Sequence, residues 1–350
     1  MSFKISLDGM GGDNAPDSVI QGAAIAKSRM MGDAHFVIYG DEGKLRPLLE
    51  KEKNLADCTT IHHCDLVIAG DEKPSNALRT GKNSSMGMAI QAVADGDCQA
   101  VVSSGNTGAV MALSMFGLKR LSGVNRPAIA AFFPTLRGES CVLDLGANIT
   151  ADAHNLIEFA VMGQAFASAA LGIERPSVGI LNVGVEETKG HEELKVAAQF
   201  LKETNLPMDF KGFIEGDGIS RGDVDVVITD GFTGNVFLKA SEGMAKMAKE
   251  YLISSFKSSL FAKIGYPFYM GALKNLKFRL DPRRYNGAVF LGLNGIAIKS
   301  HGGSDKYAFA SAVQLVGDLI VRDELGHMQK NLTYLEQLKQ EYSEKMTTAS

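Results

Sequence analysis

The sequence predicts an α/β fold in which a mostly parallel sheet is covered by helices on both faces. Short apolar segments typical of buried strands alternate with segments of helical periodicity along the 350 residues. Short loops join these segments, and glycine-rich turns follow several strands, as at 105–108 and 231–234. Ligands of such folds bind at the carboxyl ends of the strands, so we expect the functional loops to gather at that edge.

The amino-terminal part of the chain predicts the first strands, which are expected at 4–7, 36–39, 59–62 and 100–102. The loop at 8–16 has Asn14 where a dinucleotide-binding fingerprint would have its third glycine, so this motif is not matched. A helix is predicted over 77–95, with Arg79 and Lys82 as ordinary surface charges near its start.

The remaining strands are expected at 128–133, 140–143, 177–183, 210–214, 224–229 and 295–299, and further helices at 192–203, 306–325 and 328–350. The segment at 156–173 is apolar enough to be compared with a membrane span. It carries Glu158 and Gln164, however, and is rich in alanine and glycine. A helix buried in a core or in a dimer interface is therefore favoured.

Two turns share the pattern Gly-x-Thr-Gly and lie between a strand and a helix, at 103–108 and 230–235. Glycine lets a ligand approach the backbone closely, and the start of a helix offers free N–H groups to an anion. A third turn, at 144–148, also follows a strand. The candidate phosphate- or substrate-binding residues in these turns are Ser104, Gly105, Asn106, Thr107, Asn148, Gly231, Thr233, Gly234 and Asn235.

Two further loops contribute side chains that are able to interact with an anion. Lys189 precedes a glycine in the loop at 184–191, where it either reaches a bound anion or stays solvated beside neighbouring glutamates. His301 follows the last predicted strand, where it either donates a hydrogen bond to a substrate oxygen or stabilises its own loop.

Composition narrows the class of protein. The net charge of −4, from 36 basic and 40 acidic residues, disfavours a nucleic-acid binder. Cys58, Cys64, Cys98 and Cys141 have no Cys-x-x-Cys spacing, which favours reduced, mostly buried thiols in a cytosolic protein over a catalytic cysteine. We expect no secretory signal, because the first strand begins at Phe3.

Residues 251–280 differ from the rest of the chain, because they contain five basic residues and no acidic residue. Large apolar residues lie between the charges, and Gly265 and Pro267 interrupt the middle, which predicts a hairpin of short amphipathic helices that protrudes at 251–285. It is either an ordinary packed helix pair or a surface for an acidic partner or an anionic membrane, and the charge favours such a surface. The residues expected there are Lys257, Phe261, Lys263, Phe268, Lys274, Lys277 and Arg279.

Many of these segments together are typical of one family. They lie at 8–16, 73–79, 84–86, 103–108, 126–128, 144–148, 189–190, 230–235 and 299–305. In this order they resemble the bacterial phosphate acyltransferase family, the acyl-[acyl carrier protein]:phosphate acyltransferases of phospholipid synthesis. His191 stands where this family usually has asparagine, so the resemblance assigns no role to its side chain.

The resemblance implies a fold like that of isocitrate and isopropylmalate dehydrogenases in a single domain over 1–350, a homodimer, and no metal, nucleotide or other cofactor. It implies transfer of a long-chain acyl group from acyl carrier protein to inorganic phosphate, with release of the free carrier. It also implies a cytoplasmic protein with peripheral membrane contact. At the membrane, the resemblance implies, a membrane-bound glycerol-3-phosphate acyltransferase uses the acyl phosphate.

The implied chemistry agrees with the residues. Phosphate is partly dianionic near pH 7 and attacks a thioester without a strong base, so the enzyme has to hold it, orient it and stabilise the oxyanion. The expected donors are Lys189, Asn106, Thr107, Asn235 and His301. Asp230 would position Lys189 or His301, or take up a proton. Lys189, Asp230 and His301 are therefore the candidate catalytic residues, and we expect Lys189 and Asp230 in one pocket beside 104–107.

Two other functions are possible for this sequence. One is a phosphate acetyl- or butyryltransferase that uses coenzyme A, and the large basic surface at 251–280 argues against it. The other is a non-catalytic regulator that binds acyl carrier protein or lipid. The presence of Lys189, Asp230 and both Gly-x-Thr-Gly turns argues against that function.

Overall fold

The computed structural model describes residues 2–30, 33–258 and 260–349. Side chains at 260, 262–264, 266, 267, 275, 277, 343 and 345–349 lie outside this description. Within the described residues the strands are β1 (Ser2–Asp8), β2 (Asp33–Gly40), β3 (Thr59–His63), β4 (Ala100–Ser103), β5 (Ala128–Thr135), β6 (Gly138–Leu143), β7 (Ser177–Leu181), β8 (Asp209–Ile214), β9 (Val226–Ile228), β10 (Ala288–Leu291) and β11 (Ile296–Lys299).

The α-helices of the same residues flank the strands. They are α1 (Asp17–Lys27), α2 (Glu42–Leu49), α3 (Pro74–Thr80), α4 (Ser85–Ala94), α5 (Thr107–Leu118), α6 (Ala153–Leu171), α7 (Glu192–Glu203), α8 (Gly216–Arg221), α9 (Gly231–Ser258), α10 (Leu260–Arg279), α11 (Lys306–Val321) and α12 (Glu324–Ala349). The strands form one sheet in the order β3-β2-β1-β4-β11-β10-β5-β6-β9-β7-β8. Most neighbouring pairs are parallel, which confirms the predicted mostly parallel sheet.

Strand direction reverses in the middle of the sheet. β10 is antiparallel to both β11 and β5, and β5 is antiparallel to β6. Because β4 and β11 are parallel to each other, and β6 and β9 are too, β9 runs opposite to β4. The carboxyl ends of β1, β4 and β11 therefore lie at one edge, which we call the β4 edge. Those of β6, β9 and β7 lie at the opposite edge, the β9 edge, so the expectation that all these loops gather at one edge is wrong.

The two faces of the sheet carry separate apolar clusters. Ile5 and Leu7 of β1 pack on one face with Phe309 of α11 and with α1, α6 and α12. Val101 of β4 packs on the other face with Met86 of α4 and with α5 and α8. Alternate strand residues point to opposite faces, so each strand contributes to both clusters. This arrangement confirms that helices cover both faces.

Helix α6 is a core helix, as the sequence predicted. Glu158 and Gln164 are buried in it, and both are hydrogen-bonded: Glu158 Oε2 accepts from the N–H of Asn125 at 2.9 Å, and Gln164 Oε1 accepts from Asn331 Nδ2 at 2.7 Å. Such pairing offsets the cost of burying polar atoms. Among the described residues no helix combines the length and the hydropathy that crossing a membrane requires.

The single helix predicted over 77–95 is in fact two helices. α3 ends at Thr80, a 3₁₀ turn follows at Gly81–Asn83, and α4 begins at Ser85. Ser84 starts the second helix, because its Oγ accepts a hydrogen bond from the N–H of Gly87 at 3.1 Å. Apolar periodicity continues through both helices, which explains why the interruption was missed.

The hairpin predicted at 251–280 is longer and is interrupted elsewhere. α9 has 28 residues and ends at Ser258, and α10 has 20 residues and runs through Gly265 and Pro267 without a break. α10 contacts α9, for example through Phe256 and Tyr269, whose ring centroids are 6.3 Å apart, and tertiary contacts often outweigh local helix propensity. Strand β10, which was not predicted, has only four residues between two glycines.

Candidate functional site

The predicted site residues fall into two sets. Ser104, Gly105, Asn106, Thr107 and His301 lie at the β4 edge, whereas Asn148, Lys189, Asp230, Gly231, Thr233, Gly234 and Asn235 lie at the β9 edge. No hydrogen bond or ion pair between residues that the structure describes joins the two sets. The single pocket expected for Lys189 and Asp230 beside 104–107 is therefore not formed by direct contacts within one chain.

A buried carboxyl group organises the β4 edge. Asp8 is 1% exposed, and its Oδ2 accepts a hydrogen bond from Ser103 Oγ at 2.6 Å. The same Oγ accepts from the N–H of Gly105 at 3.0 Å. Burial raises the pKa of Asp8, and hydrogen bonds from the Ser103 and Ser85 side chains partly oppose that shift. This network fixes the turn at 103–105 against the end of β1.

Lys299 at the end of β11 is a member of this site that sequence reasoning missed. It is 7% exposed, and its Nζ donates to the carbonyl oxygens of Ser300 and, at 3.4 Å, Ser104. Burial lowers the pKa of Lys299 to about 8, although the charges of Asp8 and Asp13 oppose this shift. The sequence did contain a signal for this residue, because Lys299 ends an apolar strand and precedes a Gly-rich loop.

Ser104, whose carbonyl accepts from Lys299, has a hydroxyl without a partner. Ser104 is 2% exposed, and its Oγ is a buried oxygen that makes no hydrogen bond within the described structure. A buried unpaired hydroxyl costs roughly 1–3 kcal/mol, so such groups are usually satisfied by water or ligand. Together, the Ser104 hydroxyl and the Lys299 ammonium supply donors that suit the oxygen of an anion.

The side chain of Asn106 is hydrogen-bonded within the protein. Its Oδ1 accepts from the N–H of Ala109 at 2.8 Å and caps α5, and its Nδ2 donates to the carbonyls of Gly70 at 2.7 Å and Glu72 at 3.1 Å. Both amide hydrogens are therefore occupied, and the expected role as an oxyanion donor is not available in this conformation. The backbone N–H groups at the start of α5, from Thr107 onward, are the donors that remain there.

His301 is held in one tautomer. Its Nδ1 accepts a hydrogen bond from the N–H of Gly303 at 3.1 Å, so the neutral ring carries its proton on Nε2. Its backbone N–H donates to Asn286 Oδ1 at 3.0 Å. The exposed ring thus stabilises its loop and also presents an Nε2–H donor at the β4 edge. Both roles considered from the sequence are compatible with this geometry.

At the β9 edge, the completely buried side chain of Asp144 organises the loops. It accepts backbone N–H groups from Ile129, Gly146 and Ala147, and at 2.7 Å from Asn148. Asn148 Nδ2 also donates to this carboxylate at 2.9 Å and to the carbonyl of Pro127 at 2.8 Å. The loop after β6 is therefore rigidly attached to the start of β5.

The glycines of the second Gly-x-Thr-Gly turn serve close packing. Gly231 and Gly234 are buried in the first turn of α9, and the N–H of Gly231 donates to the carbonyl of Asn148 at 2.8 Å. A Cβ atom at Gly234 would collide with the carbonyl oxygen of Asp144. From the sequence we expected both glycines to let a ligand approach the backbone. In the structure they instead allow the loop after β6 to pack closely against the start of α9.

Asp230 caps helix α9. Its Oδ1 accepts from the N–H of Thr233 at 2.8 Å, and its Oδ2 accepts from Thr233 Oγ1 at 2.8 Å. Within the described structure no hydrogen bond or ion pair joins it to Lys189 or His301, so the expected positioning of those side chains by Asp230 is not observed. Asn235 is exposed on the same first turns of α9.

Lys189 lies in an exposed loop after β7, the strand next to β9. Asn182 shapes this loop, because its Nδ2 donates to the carbonyl of Lys189 at 3.1 Å. Gly190 has φ +84° and lies so close to Asn182 that a Cβ would collide with its side chain. Lys189 and Asp230 therefore follow adjacent strands at one edge, and the Lys189 side chain is accessible to an anion.

Comparison with known proteins supports one family. A family model described as "Fatty acid synthesis protein" matches residues 3–325. The chain belongs to this family.

Relatives with curated names agree with this membership. A phosphate acyltransferase of Rhodospirillum centenum is 54% identical over 337 residues, which are 94% of this chain and 95% of the relative. A phosphate acyltransferase of Parvibaculum lavamentivorans is 51% identical over 95% of this chain and 92% of its own length. The resemblance drawn from the sequence motifs is confirmed.

Solved structures outside this close group share the fold. EutD phosphotransacetylase from Staphylococcus aureus has a TM-score of 0.56 and 17% identity, covering 91% of this chain and 93% of that one. A phosphotransacetylase from Streptococcus pyogenes has a TM-score of 0.56 and 16% identity over 91% of this chain and 94% of its own. At 16–17% sequence identity, these comparisons show a shared fold only.

The cysteines of this family member are not activated. All four are free thiols, and Cys64, Cys98 and Cys141 are buried. Burial raises the pKa of Cys64 and of Cys98 to about 11, and it raises that of Cys141 as well. Because the thiolate is the nucleophilic form, these residues are poor nucleophiles. The structure agrees with the prediction of structural thiols.

The predicted carrier or membrane surface lies on the α9–α10 pair. Phe261 is 84% and Phe268 is 87% exposed, and Lys257, Lys274 and Arg279 are exposed as well. The side chains of Lys263 and Lys277 lie outside the described residues. Large apolar side chains exposed to this degree are unusual and often mark an interaction surface.

Proposed function

We propose that this protein transfers a long-chain fatty acyl group from the thioester of acyl carrier protein to inorganic phosphate. The acyl phosphate formed serves phospholipid synthesis, and the free carrier thiol is the second product. The observation that carries this proposal is 54% identity with a phosphate acyltransferase over 94% of the chain. The description of the family, a fatty acid synthesis protein, agrees with the acyl substrate.

The β4 edge suits a phosphate ion. Lys299 and the unpaired Ser104 hydroxyl provide buried donors, and the His301 Nε2–H and the start of α5 provide exposed ones. A phosphate held there is oriented for attack on the thioester carbonyl. A single well-placed donor to the developing oxyanion is worth about 3–4 kcal/mol, whereas a helix dipole at an exposed end contributes only about 0.3–1. Specific side chains therefore dominate this chemistry.

Lys189, Asp230 and His301 are the proposed catalytic residues. Lys189 is an exposed cation one strand from Asp230, so it is able to reach an anionic substrate at the β9 edge. Asp230 holds the first turn of α9 through its two hydrogen bonds with Thr233. Asn148, Thr233 and Asn235 line the same edge and remain proposed substrate-binding residues.

A homodimer would bring the two edges together. The catalytic candidates lie at opposite edges of one sheet, so we propose that the β4 edge of one protomer faces the β9 edge of its partner. Exposed apolar residues of α9 support such an association, because Met244 is 60% and Tyr251 is 65% exposed in the single chain. Large apolar side chains that are exposed to this degree in one chain are typical of a face that a partner covers.

We also propose a cytoplasmic protein that binds the inner membrane surface through the α9–α10 pair. The basic and apolar side chains there match an anionic lipid surface or the acidic acyl carrier protein. Membrane contact would place the product near a membrane-bound glycerol-3-phosphate acyltransferase.

The test is direct detection of acyl phosphate from long-chain acyl carrier thioester and inorganic phosphate. Lys189→Ala and Asp230→Asn should each lower turnover at least about a hundredfold, the scale of a lost electrostatic group. Asparagine also caps helices, so Asp230→Asn removes the charge and keeps the cap. Lys202→Ala, which removes an exposed lysine paired with Glu187 near the same loop, should leave turnover unchanged.

Two results would overturn the proposal. Faster turnover of acetyl-coenzyme A than of the long-chain carrier thioester would favour a phosphate acetyltransferase. No acyl phosphate from any thioester would favour a non-catalytic carrier- or lipid-binding protein. Wild-type rates in both folded variants would refute the assignment of Lys189 and Asp230.

A further inference from the structure

A cleft of about 450 Å³ lies at the β9 edge, between the loop before β5 and the loop after β6. Arg120 and Arg126 contribute to one wall, and Asn148 and Thr150 contribute to the other. None of the catalytic candidates lines this cleft. It is adjacent to them, because the carbonyl of Asn148 accepts the N–H of Gly231 at 2.8 Å.

Buried carboxyl groups hold both walls in place. Asp144 gathers the N–H groups of the loop after β6, as described above. Glu158, which is 1% exposed, accepts the N–H of Asn125 at 2.9 Å and thereby fixes the loop before β5. Its other oxygen lies 2.8 Å from His154 Nε2 and 3.6 Å from Lys339 Nζ. A cleft with fixed walls loses little entropy when it binds a ligand.

The guanidinium groups of Arg120 and Arg126 each have N–H donors that are not used by the contacts described. Arg120 Nη1 donates to the carbonyl of Asn125, and Arg126 Nη1 donates to the carbonyl of Thr150 at 3.3 Å. In the part of the chain that the structure describes, neither arginine forms an ion pair with a carboxylate. Each guanidinium has five N–H donors in a planar fork, and that fork matches the oxygens of a phosphate.

The remaining lining is apolar. Met115 and Ala147 contribute to the cleft, and so does Ile149, which is 76% exposed. Phe116, which is 72% exposed, follows Met115 on α5. Two arginines beside apolar side chains suit a phosphate that is attached to an uncharged chain better than they suit a free inorganic ion.

We propose that this cleft binds the phosphate of a phosphopantetheine arm, the group that carries the acyl thioester. The inference rests on the proposed function, since it concerns the acyl donor of that reaction. From β5 the strands β9 and β7 are two and three positions away, which corresponds to roughly 10 and 14 Å at the usual strand spacing. An arm anchored at Arg126 and extended along this edge directs its thioester toward Asp230 and Lys189.

The first experiment measures binding and needs no turnover. Phosphopantetheine and pantetheine differ only in the phosphate, and each is titrated calorimetrically into the whole protein. The wild type should bind phosphopantetheine at least about tenfold more tightly, as expected for charge-assisted hydrogen bonds. Arg126→Gln and Arg120→Gln should each bring the ratio of the two dissociation constants close to one. Arg126→Lys, which keeps the charge and loses the fork, should give an intermediate ratio.

Arg137→Gln is the matched control. Arg137 is an exposed arginine that also donates one Nη1 hydrogen bond to a backbone carbonyl, that of Gly222, but it lies in the turn between β5 and β6 at the opposite edge. This variant should keep the wild-type ratio. Thermal unfolding of every variant checks that the walls of the cleft remain folded.

The second experiment separates the two possible sources of phosphate. The kcat/KM for an acyl-phosphopantetheine is compared with that for the matching acyl-pantetheine, and the KM for inorganic phosphate is measured in the same variants. The arginine variants should lower the ratio of the two kcat/KM values and leave the KM for inorganic phosphate unchanged. A raised KM for inorganic phosphate with an unchanged ratio would mean that the cleft holds the free ion, which overturns the inference.

The inference and the proposed function can fail separately. Equal affinity of the wild type for phosphopantetheine and pantetheine would overturn the inference, even if acyl phosphate is formed. Selective binding without turnover of any thioester would support the cleft and overturn the proposed reaction.

Discussion

Lys299 is an ammonium group placed inside the protein, where desolvation disfavours its charge. Two backbone carbonyls and the charges of Asp8 and Asp13 stabilise it only in part, so its pKa falls from 10.5 to about 8. A buried cation that is not fully compensated is expensive for folding. Its contact with Ser104, a residue whose hydroxyl is buried and unpaired, is explained if both side chains bind an anion.

The lowered pKa of Lys299 predicts a pH dependence of activity. The protonated form is the anion-binding form, so kcat/KM for phosphate should fall as the pH rises through about 8. Lys299→Arg, whose guanidinium stays charged, should move this fall to higher pH. Lys4→Arg, at an exposed lysine of β1, should leave the profile unchanged. A wild-type profile that is flat to pH 10 would exclude Lys299 from phosphate binding.

The same shift predicts a change in stability. Between pH 8 and pH 10.5 the unfolded chain keeps a proton on Lys299 that the folded chain has released. The free energy of unfolding should therefore rise with pH in this window. In Lys299→Met this contribution is absent. The free energies of unfolding of wild type and variant, measured with denaturant at several pH values, should therefore differ by an amount that changes only across this window.

Helices α9 and α10 combine a basic surface with exposed apolar side chains. At about 1.5 Å per residue, the 28 residues of α9 extend roughly 42 Å, beyond what packing against the sheet requires. Only Gly231 and Gly234 of α9, both at its start, are buried. The pair is therefore an element that the rest of the single chain does not cover.

Charge reversal on this pair should weaken its electrostatic contacts. Lys257→Glu with Lys274→Glu should raise the KM for acyl carrier thioester and lower binding to anionic vesicles, most strongly at low salt, because screening reduces the attraction. Lys263 and Lys277 add two further positive charges to the sequence of α10, and reversing all four lysines should enlarge the effect. Lys51→Glu with Lys53→Glu changes the net charge equally at exposed positions elsewhere and should have neither effect.

Removal of the apolar side chains should act differently. Phe261→Ser with Phe268→Ser should release the protein from vesicles at any salt concentration and leave turnover in solution largely intact, since burial of apolar area in lipid is insensitive to salt. Leu136→Ser, at a residue that is 85% exposed elsewhere, is the control. Co-sedimentation with vesicles measures the binding. If neither the charge nor the apolar variants alter it, the pair is an ordinary packed element.

At the scale of the whole molecule, the reversal of strand direction divides the candidate site between two edges. Three successive antiparallel pairings, β11 with β10, β10 with β5 and β5 with β6, produce this reversal. A second copy of the chain is the simplest way to place a β4 edge next to a β9 edge. Closed two-fold dimers place the same pair of surfaces at two equivalent positions.

Mixed dimers test this arrangement. His301→Ala alters the β4 edge and Lys189→Ala alters the β9 edge, and each homodimer should be nearly inactive. If each site combines the two edges across the interface, random mixing of the two variants after subunit exchange should restore about a quarter of the wild-type activity, because half of the dimers contain one intact site of two. A mixture that remains inactive would mean that each site is formed within one chain.

The sequence by itself determined the local elements and the family. Strands such as β4 and helices such as α6 were predicted within a few residues, because alternation and helical periodicity reflect the burial of nearby side chains. The turns at 103–108, 144–148 and 230–235 were also recognised as strand-to-helix connections, since glycine and capping residues act within a few positions of the chain.

Only the tertiary structure decided how these elements are combined. The direction of β9 relative to β4 depends on pairs such as Val289 with Ala130 and Val289 with Ile298, which join distant parts of the chain through the four residues of β10. The burial of Lys299 and the use of the Asn106 amide by the carbonyls of Gly70 and Glu72 likewise depend on neighbours that are remote in sequence. Local patterns carry no information about such partners, because hydrogen bonding and desolvation are set by whichever atoms the fold brings together.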